Sequence, residues 1–385
     1  MTHKTPVILR IHPEINPSSG GTYTSIVENT RYLTSKGVLT IMLTPGIPPS
    51  TPEDDICWGR TYYFRSFLGP FSFSFDLYQQ AQEIIQLYNV DIIIIDGLWQ
   101  YCGVVASKLY RNTNVSVIQY THGMLDPFYA TQKLKFIRNK IYWSLVERKN
   151  MKARSSIIFT HITEKTIVDS WCSSSKASSY IQPLGISGSP IHSEKYHQAF
   201  TKQAPCKLLF FGRIHPKKGI DILIKAISLL AKPELVELLI VGPDGPSTYK
   251  VNLLRLIDKY NLQSIITWES PVYGSEKWDY YRDSDAFILS TRGENFGLTI
   301  PEALSSCTPV ISTNKAAIHE FISDYEAGIV SEANPDSVAS AIDYFLSITV
   351  EKRKLMSSQA RLLFDQVFSS KVANEKLYSL LSDKD

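Results

Sequence analysis

Short apolar runs alternate with longer amphipathic stretches along most of the chain. The first pair is an apolar run at residues 7–11 and an amphipathic stretch that ends at Gly37. A continuous apolar run is typical of a strand buried on both faces, and a period near 3.6 residues is typical of a helix that covers it. Strands and helices that alternate in this way predict parallel sheets with helices on both faces.

Two blocks of this alternation are separated by a change in composition. The predicted strands of the first block lie at residues 7–11, 38–43, 91–96, 115–121, 156–160 and 180–184. The second block starts at Lys207 with LLFFGRIHPKKG and continues through VELLIVGPDG, SIITWES, AFILS, PVIST and GIVSE. Residues between the blocks are rich in Gly, Ser, Pro and His, which is typical of a linker.

The length of the chain agrees with two domains. At 385 residues it exceeds the size at which a single hydrophobic core stops growing. We predict an N-terminal Rossmann-like domain at residues 1–186, a linker at 187–205, a C-terminal Rossmann-like domain at 206–354 and terminal helices at 355–385.

Composition excludes several classes of protein. A net charge of +3 is too weak to predict a nucleic-acid partner. The five cysteines are widely spaced, so we expect them to be reduced and structural, and no sequence cluster suggests a metal site. No apolar run reaches the roughly 20 residues of a membrane span, and the first residues lack the apolar core of a signal peptide. We therefore expect a cytoplasmic protein, at most peripheral to a membrane.

An anion site is predicted where the strand at 286–289 meets the helix that starts near Pro301. Ligands of open α/β sheets bind outside the carboxyl ends of the strands, and the unpaired N–H groups at a helix start attract phosphate. The residues expected to lie around such a phosphate are Asn295, Phe296, Gly297 and Leu298.

Two carboxylates, Glu294 and Glu302, flank this predicted anion site. Taken alone, either one is better explained as an ordinary surface acid, and Glu302 would also complement the dipole of its helix. The alternative is that each accepts hydrogen bonds from adjacent sugar hydroxyls, with a diphosphate between the two sugars.

Two cations follow the first strand of the second block. Arg213 comes directly after the strand, and Lys218 precedes the helix that begins near Gly219. Both would leave the same sheet edge as the Glu294 loop, where an Arg fork and a Lys point charge suit phosphate oxygens. Asp283-Ser284-Asp285 has the D-x-D spacing of a metal site, but it precedes a strand and would lie at the opposite edge. We therefore predict no metal.

The first block offers three further candidates. Gly20 and Gly21 stand at a predicted helix entrance, where the backbone could approach a ligand closely, although a turn alone would also require them. His122 follows the strand at 115–121, in the place of a ligand-facing residue, and a structural role is equally compatible with it.

ENFGLTIPEAL, between Glu294 and Leu304, resembles the E-x7-E motif of retaining glycosyltransferases of family 4. Residues 271–297 and the CTPVIST segment resemble the sequence that surrounds this motif, and FFGRIHPKKG resembles the GR-x4-KG pattern of the family. The resemblance implies the GT-B fold, two Rossmann-like domains that face a cleft, with the last helices crossing back onto the first domain.

The resemblance also implies roles for the candidate residues. Arg213 and Lys218 would hold the diphosphate of a nucleotide-sugar donor, Glu302 its ribose, and the Val272 backbone its base. Glu294, with the 295–298 amides, would hold sugar and phosphate. Gly20, Gly21 and His122 would face the donor from the first domain. The expected reaction is metal-independent, retaining transfer of a hexose, from UDP-sugar before GDP- or ADP-sugar, to a glycan or lipid-linked glycan in surface or extracellular polysaccharide synthesis.

Three other classes of function share some of these features. A nicotinamide oxidoreductase would need a G-x-G-x-x-G after a strand, and the sequence has none. A sugar-nucleotide epimerase of the same fold stays open. A non-catalytic carbohydrate-binding protein also stays open, although it would have no need of the cations.

Residues 132–154 predict a long basic helix. At 100° per residue, Leu134, Ile137, Ile141 and Leu145 form one stripe, which we expect to face the core of the first domain. The opposite stripe carries Lys133, Phe136, Lys140 and Trp143 and is interrupted only by Glu147. That outer stripe would either bind an anionic membrane surface or pack beneath a loop.

Overall fold

A computed structural model of the chain describes residues 5–12, 21–46, 60–67, 69–124, 133–171, 177–190 and 205–382. Two compact units are present. The first unit comprises Met1–Gly185 together with Ser370–Asp385, and the second comprises Ile186–Ser369.

The first unit is built on a parallel sheet. Its strands are β1 (Val7–Ile11), β2 (Leu39–Pro45), β3 (Arg60–Phe64), β4 (Ile92–Asp96), β5 (Ser116–Tyr120), β6 (Ser156–Phe159) and β7 (Ser178–Ile181). Its helices are α1 (Gly21–Ser35), α2 (Leu77–Tyr88), α3 (Tyr101–Asn112), α4 (Lys133–Tyr142), α5 (Arg148–Lys152), α6 (Ile162–Trp171) and α14 (Ser370–Ser382). The strand order is β3-β2-β1-β4-β5-β6-β7. Strands β2 and β3 are therefore added on one side of β1 and strands β4 to β7 on the other, and the order reverses between β1 and β4.

Both faces of this sheet are buried, which explains why its central strands are continuously apolar. Leu9 and Ile93 contribute to one core, together with α2 and α3. Ile8 and Ile94 point to the other face and pack with Leu377 of α14. The sequence did not predict β3 or α2. β3 is an edge strand, and its residues RTYYF lack the continuous aliphatic run of the central strands.

The second unit repeats the same architecture. Its strands are β8 (Cys206–Phe211), β9 (Val236–Val241), β10 (Ile266–Glu269), β11 (Ala286–Leu289), β12 (Val310–Thr313) and β13 (Gly328–Ser331). Its helices are α7 (Ile220–Ser228), α8 (Ser247–Lys259), α9 (Lys277–Arg282), α10 (Thr299–Ser305), α11 (His319–Asp324), α12 (Pro335–Ser347) and α13 (Val350–Leu363). The order β10-β9-β8-β11-β12-β13 again reverses in the middle, between β8 and β11. Two Rossmann-like parallel-sheet domains, as predicted, are confirmed.

The boundaries of the units differ from the expected domains in two places. Residues 187–190 and 205 belong to the second unit instead of standing apart as a linker, and so does Ile186, which was expected to end the first domain. Residues 355–369, expected among the helices that return to the first domain, also belong to the second unit. Only α14 joins the first unit, where the Gln182 side chain donates to the Ala373 carbonyl at 2.9 Å.

The predicted inner face of residues 132–154 is wrong. Ile137 is 55% exposed and Leu145 is 64% exposed, whereas Trp143 and Glu147 are buried. The segment is also not one regular helix, because a π-turn (Trp143–Glu147) separates α4 from α5. The side chains of Lys133, Leu134 and Phe136 lie outside the described part.

In the parts of the chain that the structure describes, no helix is long and apolar enough to cross a membrane.

Candidate active site

The candidate site of the second unit lies where β8 and β11 run side by side. These strands are neighbours in the sheet but are separated in sequence by β9 and β10, so the loops that leave their carboxyl ends diverge. In open α/β sheets this divergence opens the crevice in which ligands bind. The loop after β8 carries Arg213 and Lys218, and the loop after β11 carries Glu294, so the structure brings these predicted residues to one edge.

Gly219 allows the two loops to meet. Its φ is +69°, and a Cβ at this position would lie 1.9 Å from the Ser290 carbonyl oxygen. The Ser290 hydroxyl donates to the Gly219 carbonyl at 2.8 Å. The Lys217 carbonyl accepts from the Thr291 hydroxyl at 2.9 Å and from the Arg292 N–H at 2.8 Å. The position of Lys218 relative to Glu294 is therefore fixed by the backbone.

Lys218 and Glu294 form an ion pair at the centre of this edge. Lys218 Nζ lies 2.5 Å from Glu294 Oε2, and the side chains are only 16% and 13% exposed. Gly297, with φ +64°, lies beneath the acid, since a Cβ there would sit 2.7 Å from Glu294 Cγ. Lys218 could donate to a phosphate oxygen and Glu294 could accept from a hydroxyl, so the pair suits a ligand that has both groups.

Positive charge is concentrated on the loop after β8. Arg213 is exposed and forms no ion pair with any described acid. Burial lowers the pKa of His215, and the charges of Arg213, Lys217 and Lys218 lower it further. His215 Nδ1 also accepts the Lys217 N–H at 3.1 Å, so the neutral ring is favoured and the cations remain available to an anion.

Glu302, in the first turn of α10, is already held by two side chains of α9. Lys277 Nζ donates to its Oε1 at 2.6 Å, and the Tyr281 hydroxyl donates to its Oε2 at 2.8 Å. Burial raises the pKa of Tyr281, and the Glu302 charge raises it further, so the phenol stays a donor. The sequence did not identify Lys277 or Tyr281, because nothing in KWDYYR marks a partner that lies 20 or more residues away.

The remaining predicted donor-binding residues of the second unit lie on its loops before α9 and α10. Val272 is half-buried on the loop between β10 and α9. Asn295 and Leu298 are half-buried on the loop that leads into α10. Phe296 is buried, and its ring packs on Phe368 with a centroid distance of 5.6 Å, so its side chain is part of the core. A role in binding stays a prediction for all four residues of the 295–298 segment and for Val272.

The D-x-D sequence lies at the opposite edge of the second sheet, as expected. Asp285 precedes β11, and its Oδ2 accepts the Lys207 N–H at 2.7 Å. The Asp285 N–H donates to the Lys207 carbonyl at 2.8 Å, so this acid joins the starts of β8 and β11. Within the described ranges, no group of three or more His, Cys, Asp or Glu side chains could hold a metal ion.

The first unit has its own polar cluster where its sheet reverses. Arg10 lies near the end of β1 and Asp96 ends β4. The Arg10 guanidinium donates to both carboxylate oxygens of Asp96, at 2.6 and 2.7 Å. His122 Nε2 lies 2.7 Å from Asp96 Oδ1, and its ring stacks on Tyr120 with a centroid distance of 5.3 Å. The predicted residue His122 is therefore the third member of a buried network.

Asp96 is ionised in this network. Burial alone would raise its pKa, but the charge and hydrogen bonds of Arg10, with those of His122, outweigh that effect and hold the pKa well below its usual range. The His122 ring donates through Nε2 to this carboxylate, which leaves Nδ1 for another partner. Among the described residues, His122 Nδ1, Arg10 Nη1 and the Tyr120 hydroxyl are buried and make no hydrogen bond.

The sequence missed Arg10 and Asp96, although a signal was present. Each is a charged residue near the carboxyl end of an apolar strand, in VILRI and IIIID, where a buried charge needs a partner. His122 itself has φ +47°, and Gly123 follows at +74°. A non-glycine residue in the left-handed region is uncommon and is typical of functional turns. Gly21 begins α1, and Gly20 lies outside the described residues.

Comparison with known proteins agrees with this geometry. Residues 193–363 match the model of the family described as glycosyl transferases group 1. The D-inositol 3-phosphate glycosyltransferase of Paenarthrobacter aurescens is 32% identical over 141 residues, which are 35% of this chain and 34% of that protein. The matched stretch thus spans about a third of that curated relative.

Two further similarities extend over most of the chain. The alpha-monoglucosyldiacylglycerol synthase of Streptococcus pneumoniae is 23% identical over 321 residues, covering 81% of this chain and 71% of that protein. The solved structure of Anabaena HepE in complex with UDP has a TM-score of 0.75 at 16% identity, covering 97% of this chain and 99% of that chain. The second unit therefore carries the sequence pattern of group 1 glycosyl transferases, and the GT-B fold implied by the resemblance is confirmed.

Proposed function

We propose that this protein is a retaining glycosyltransferase that moves a hexose from a UDP-sugar to a glycan or lipid-linked glycan. The observation that carries the proposal is the Lys218–Glu294 pair at the edge where the second sheet reverses, with Arg213 on the same loop as Lys218. An ion pair with a second, unpaired cation next to it suits a ligand that presents a diphosphate and a sugar together. The family match covers the same residues.

Each donor contact follows from the chemistry of its residue. Arg213 and Lys218 bind the diphosphate, and Glu294 accepts hydrogen bonds from the hexose hydroxyls. Glu302 binds the ribose: a carboxylate has about four acceptor positions, so Lys277 and Tyr281 leave one on each oxygen. The backbone at Val272 binds the base.

The leaving group explains why cations are needed. As the glycosidic bond breaks, negative charge grows on the diphosphate oxygen, and donors already fixed in place stabilise that charge at little cost of reorganisation. Lys218 is fixed in this way by its contact with Glu294 and by the Gly219 turn. No described side chain is placed as a certain nucleophile, so we propose that the acceptor attacks the face from which the diphosphate departs, which retains the anomeric configuration.

His122 is proposed to bind a sugar hydroxyl. Asp96 occupies Nε2, so Nδ1 is the atom that would accept the hydroxyl proton. The buried and unpaired state of that nitrogen within the described chain supports this role.

The relatives support the choice of substrates. The HepE structure contains UDP, and the streptococcal relative is named for a glucosylated diacylglycerol. A UDP-sugar donor, UDP-glucose first, and a lipid-linked acceptor are therefore the substrates that we propose. The same considerations favour a location at the cytoplasmic face of a membrane and a role in surface polysaccharide synthesis.

A binding screen followed by a transfer assay tests the proposal. UDP, GDP and ADP, each free and as its glucose ester, are compared by thermal shift, and UDP species should stabilise the protein most. Release of UDP from UDP-glucose is then measured with lipid and oligosaccharide acceptors. Failure of every nucleotide to bind would overturn the donor assignment, and conversion of the donor sugar without an acceptor would identify an epimerase instead.

A further inference from the structure

Three large aliphatic side chains are exposed in a row on one helical segment of the first unit. Ile137, Ile141 and Leu145 are 55%, 56% and 64% exposed. Their spacing of four residues places them on one side of the segment formed by α4 and the π-turn. A single exposed aliphatic residue is normal, but a contiguous row of them marks an interaction surface.

The exposed side of this segment is also strongly basic. Arg138 lies beside the aliphatic row, and Arg148, Lys149 and Lys152 continue the exposed side along α5. Between residues 133 and 152 the sequence has seven cations, of which these are four, and its one acid is Glu147. Glu147 is buried, so no acid of this segment offsets the exposed cations.

An aromatic loop lies next to the segment. Phe67 and residues 69–75 belong to this loop, and the Phe71 ring packs on Tyr142 of α4 with a centroid distance of 5.9 Å. Phe73 packs on Tyr101 at 4.7 Å. Phe67 and Phe75 are left 51% and 83% exposed. The loop that contacts α4 through Phe71 therefore carries two exposed aromatic rings.

We propose that these residues form a docking surface for a lipid bilayer with anionic headgroups. The surface consists of the row Ile137, Ile141 and Leu145, the cations Arg138, Arg148, Lys149 and Lys152, and the rings Phe67 and Phe75. Apolar side chains enter the boundary between headgroups and acyl chains, while cations near them attract anionic lipid. This inference assigns residues to the membrane location proposed above, and it would hold even if the chain transferred no sugar.

The charge pattern argues against a second copy of the chain as the occupant. A twofold interface places the same patch on both partners, so the cations of one copy would approach those of the other. With Glu147 buried, the segment itself offers no acid to separate them. An anionic surface instead satisfies all four cations without a matching pattern of acids.

Vesicle co-sedimentation tests the proposal with the full chain. Wild-type protein should bind vesicles of phosphatidylcholine with phosphatidylglycerol, bind less as salt rises, and ignore pure phosphatidylcholine. Ile137→Asn/Ile141→Asn/Leu145→Asn should lower the partition coefficient by about tenfold or more. Val251→Asn/Leu254→Asn is the matched control, since it changes two residues that are 45% and 43% exposed on α8 of the second unit, and it should bind like wild type.

A second variant keeps the test decisive if the triple substitution unfolds the first unit. Arg148→Gln/Lys149→Gln/Lys152→Gln changes only exposed side chains and should weaken binding and flatten its salt dependence. The proposal is overturned if wild type ignores anionic vesicles at low salt, or if the folded aliphatic variant binds as well as wild type. The proposal is also overturned if wild type is a dimer, the aliphatic variant is a monomer, and both bind vesicles equally well, since the surface would then serve self-association. Because no nucleotide is present, neither outcome depends on the proposed transfer.

Discussion

Replacement of Lys218 by alanine tests whether this residue binds a diphosphate or only forms an ion pair with Glu294. The side chain is 16% exposed, and Glu294 Oε2 is its partner at 2.5 Å. In the free protein the change removes one partly exposed ion pair, so we expect it to lower the free energy of unfolding by only about 1 kcal/mol. In the complex it removes a charged contact to phosphate and leaves the Glu294 carboxylate without its neutralising partner.

The loss in the complex should be much larger. A hydrogen bond to a charged group contributes about 1.5–3 kcal/mol, so UDP should bind about tenfold to a hundredfold more weakly. At a UDP concentration of about 100 times the wild-type Kd, the ligand stabilises the wild type by about 2.7 kcal/mol, and tenfold weaker binding reduces this to about 1.4 kcal/mol. If Lys218 stabilises charge on the leaving group, the rate of transfer should fall further, by about 10² to 10³.

Lys217→Ala is the matched control for this experiment. It removes the same charge one residue away and keeps the Lys217 carbonyl, which accepts from Arg292 and Thr291. Calorimetric titration with UDP should show a large loss of affinity for Lys218→Ala and a small one for Lys217→Ala. Equal losses in both variants would mean that only the general charge of the loop matters. An unchanged Kd in Lys218→Ala would refute the diphosphate assignment.

Four further outcomes follow from the same structure. Glu302→Ala should leave the fold intact and lower transfer by about 10² or more, and near-normal turnover would show that the ribose site is misassigned. Transfer should survive EDTA, and a loss that Mg²⁺ or Mn²⁺ specifically restores would contradict metal independence. Asp96→Asn should lower the free energy of unfolding of the first unit by about 3 kcal/mol or more, since it leaves the Arg10 guanidinium buried without a counter-charge; urea titration measures this. Burial raises the pKa of Glu147 from its ordinary value of 4.5 to about 7, so the folded state binds a proton that the unfolded state releases, and stability should fall as pH rises between these values. Glu147→Gln has no carboxyl to titrate at this position, so its stability should be flat over that pH range, and a slope equal to that of wild type would disprove the titration.

The fold could be predicted because its signal is local. Continuous apolar strands such as 92–96 can only be buried on both faces, and this property requires helices on either side of a parallel sheet. The same reasoning brought Lys218 and Glu294 to one edge and the Asp285 carboxylate to the other, because each residue was assigned by the end of the strand that it adjoins.

The partners of the site residues could not be predicted in this way. Arg10 and Asp96 are 86 residues apart, and Lys277 and Glu302 are 25 apart. Each pair meets because its strands or helices are neighbours in space. The strand order of each sheet reverses once, and the sequence of a single strand or helix does not indicate where. Charge at the end of an apolar strand predicts that a partner exists, but it does not identify that partner.

The error at residues 132–154 has a different cause, because the helical period was right and the choice of face was wrong. An Ile/Leu stripe and a Trp/Glu stripe were both present, and the aliphatic one was expected inside. In the folded unit, Trp143 instead packs between Trp99 and Trp171, with centroid distances of 5.9 and 5.2 Å. Glu147, on the same face, accepts the Trp99 N–H at 3.3 Å. A large aromatic ring with two aromatic neighbours gains more from burial than one aliphatic residue does, and these neighbours lie elsewhere in the sequence. The aliphatic stripe was therefore left exposed to water, which is unfavourable unless another surface covers it.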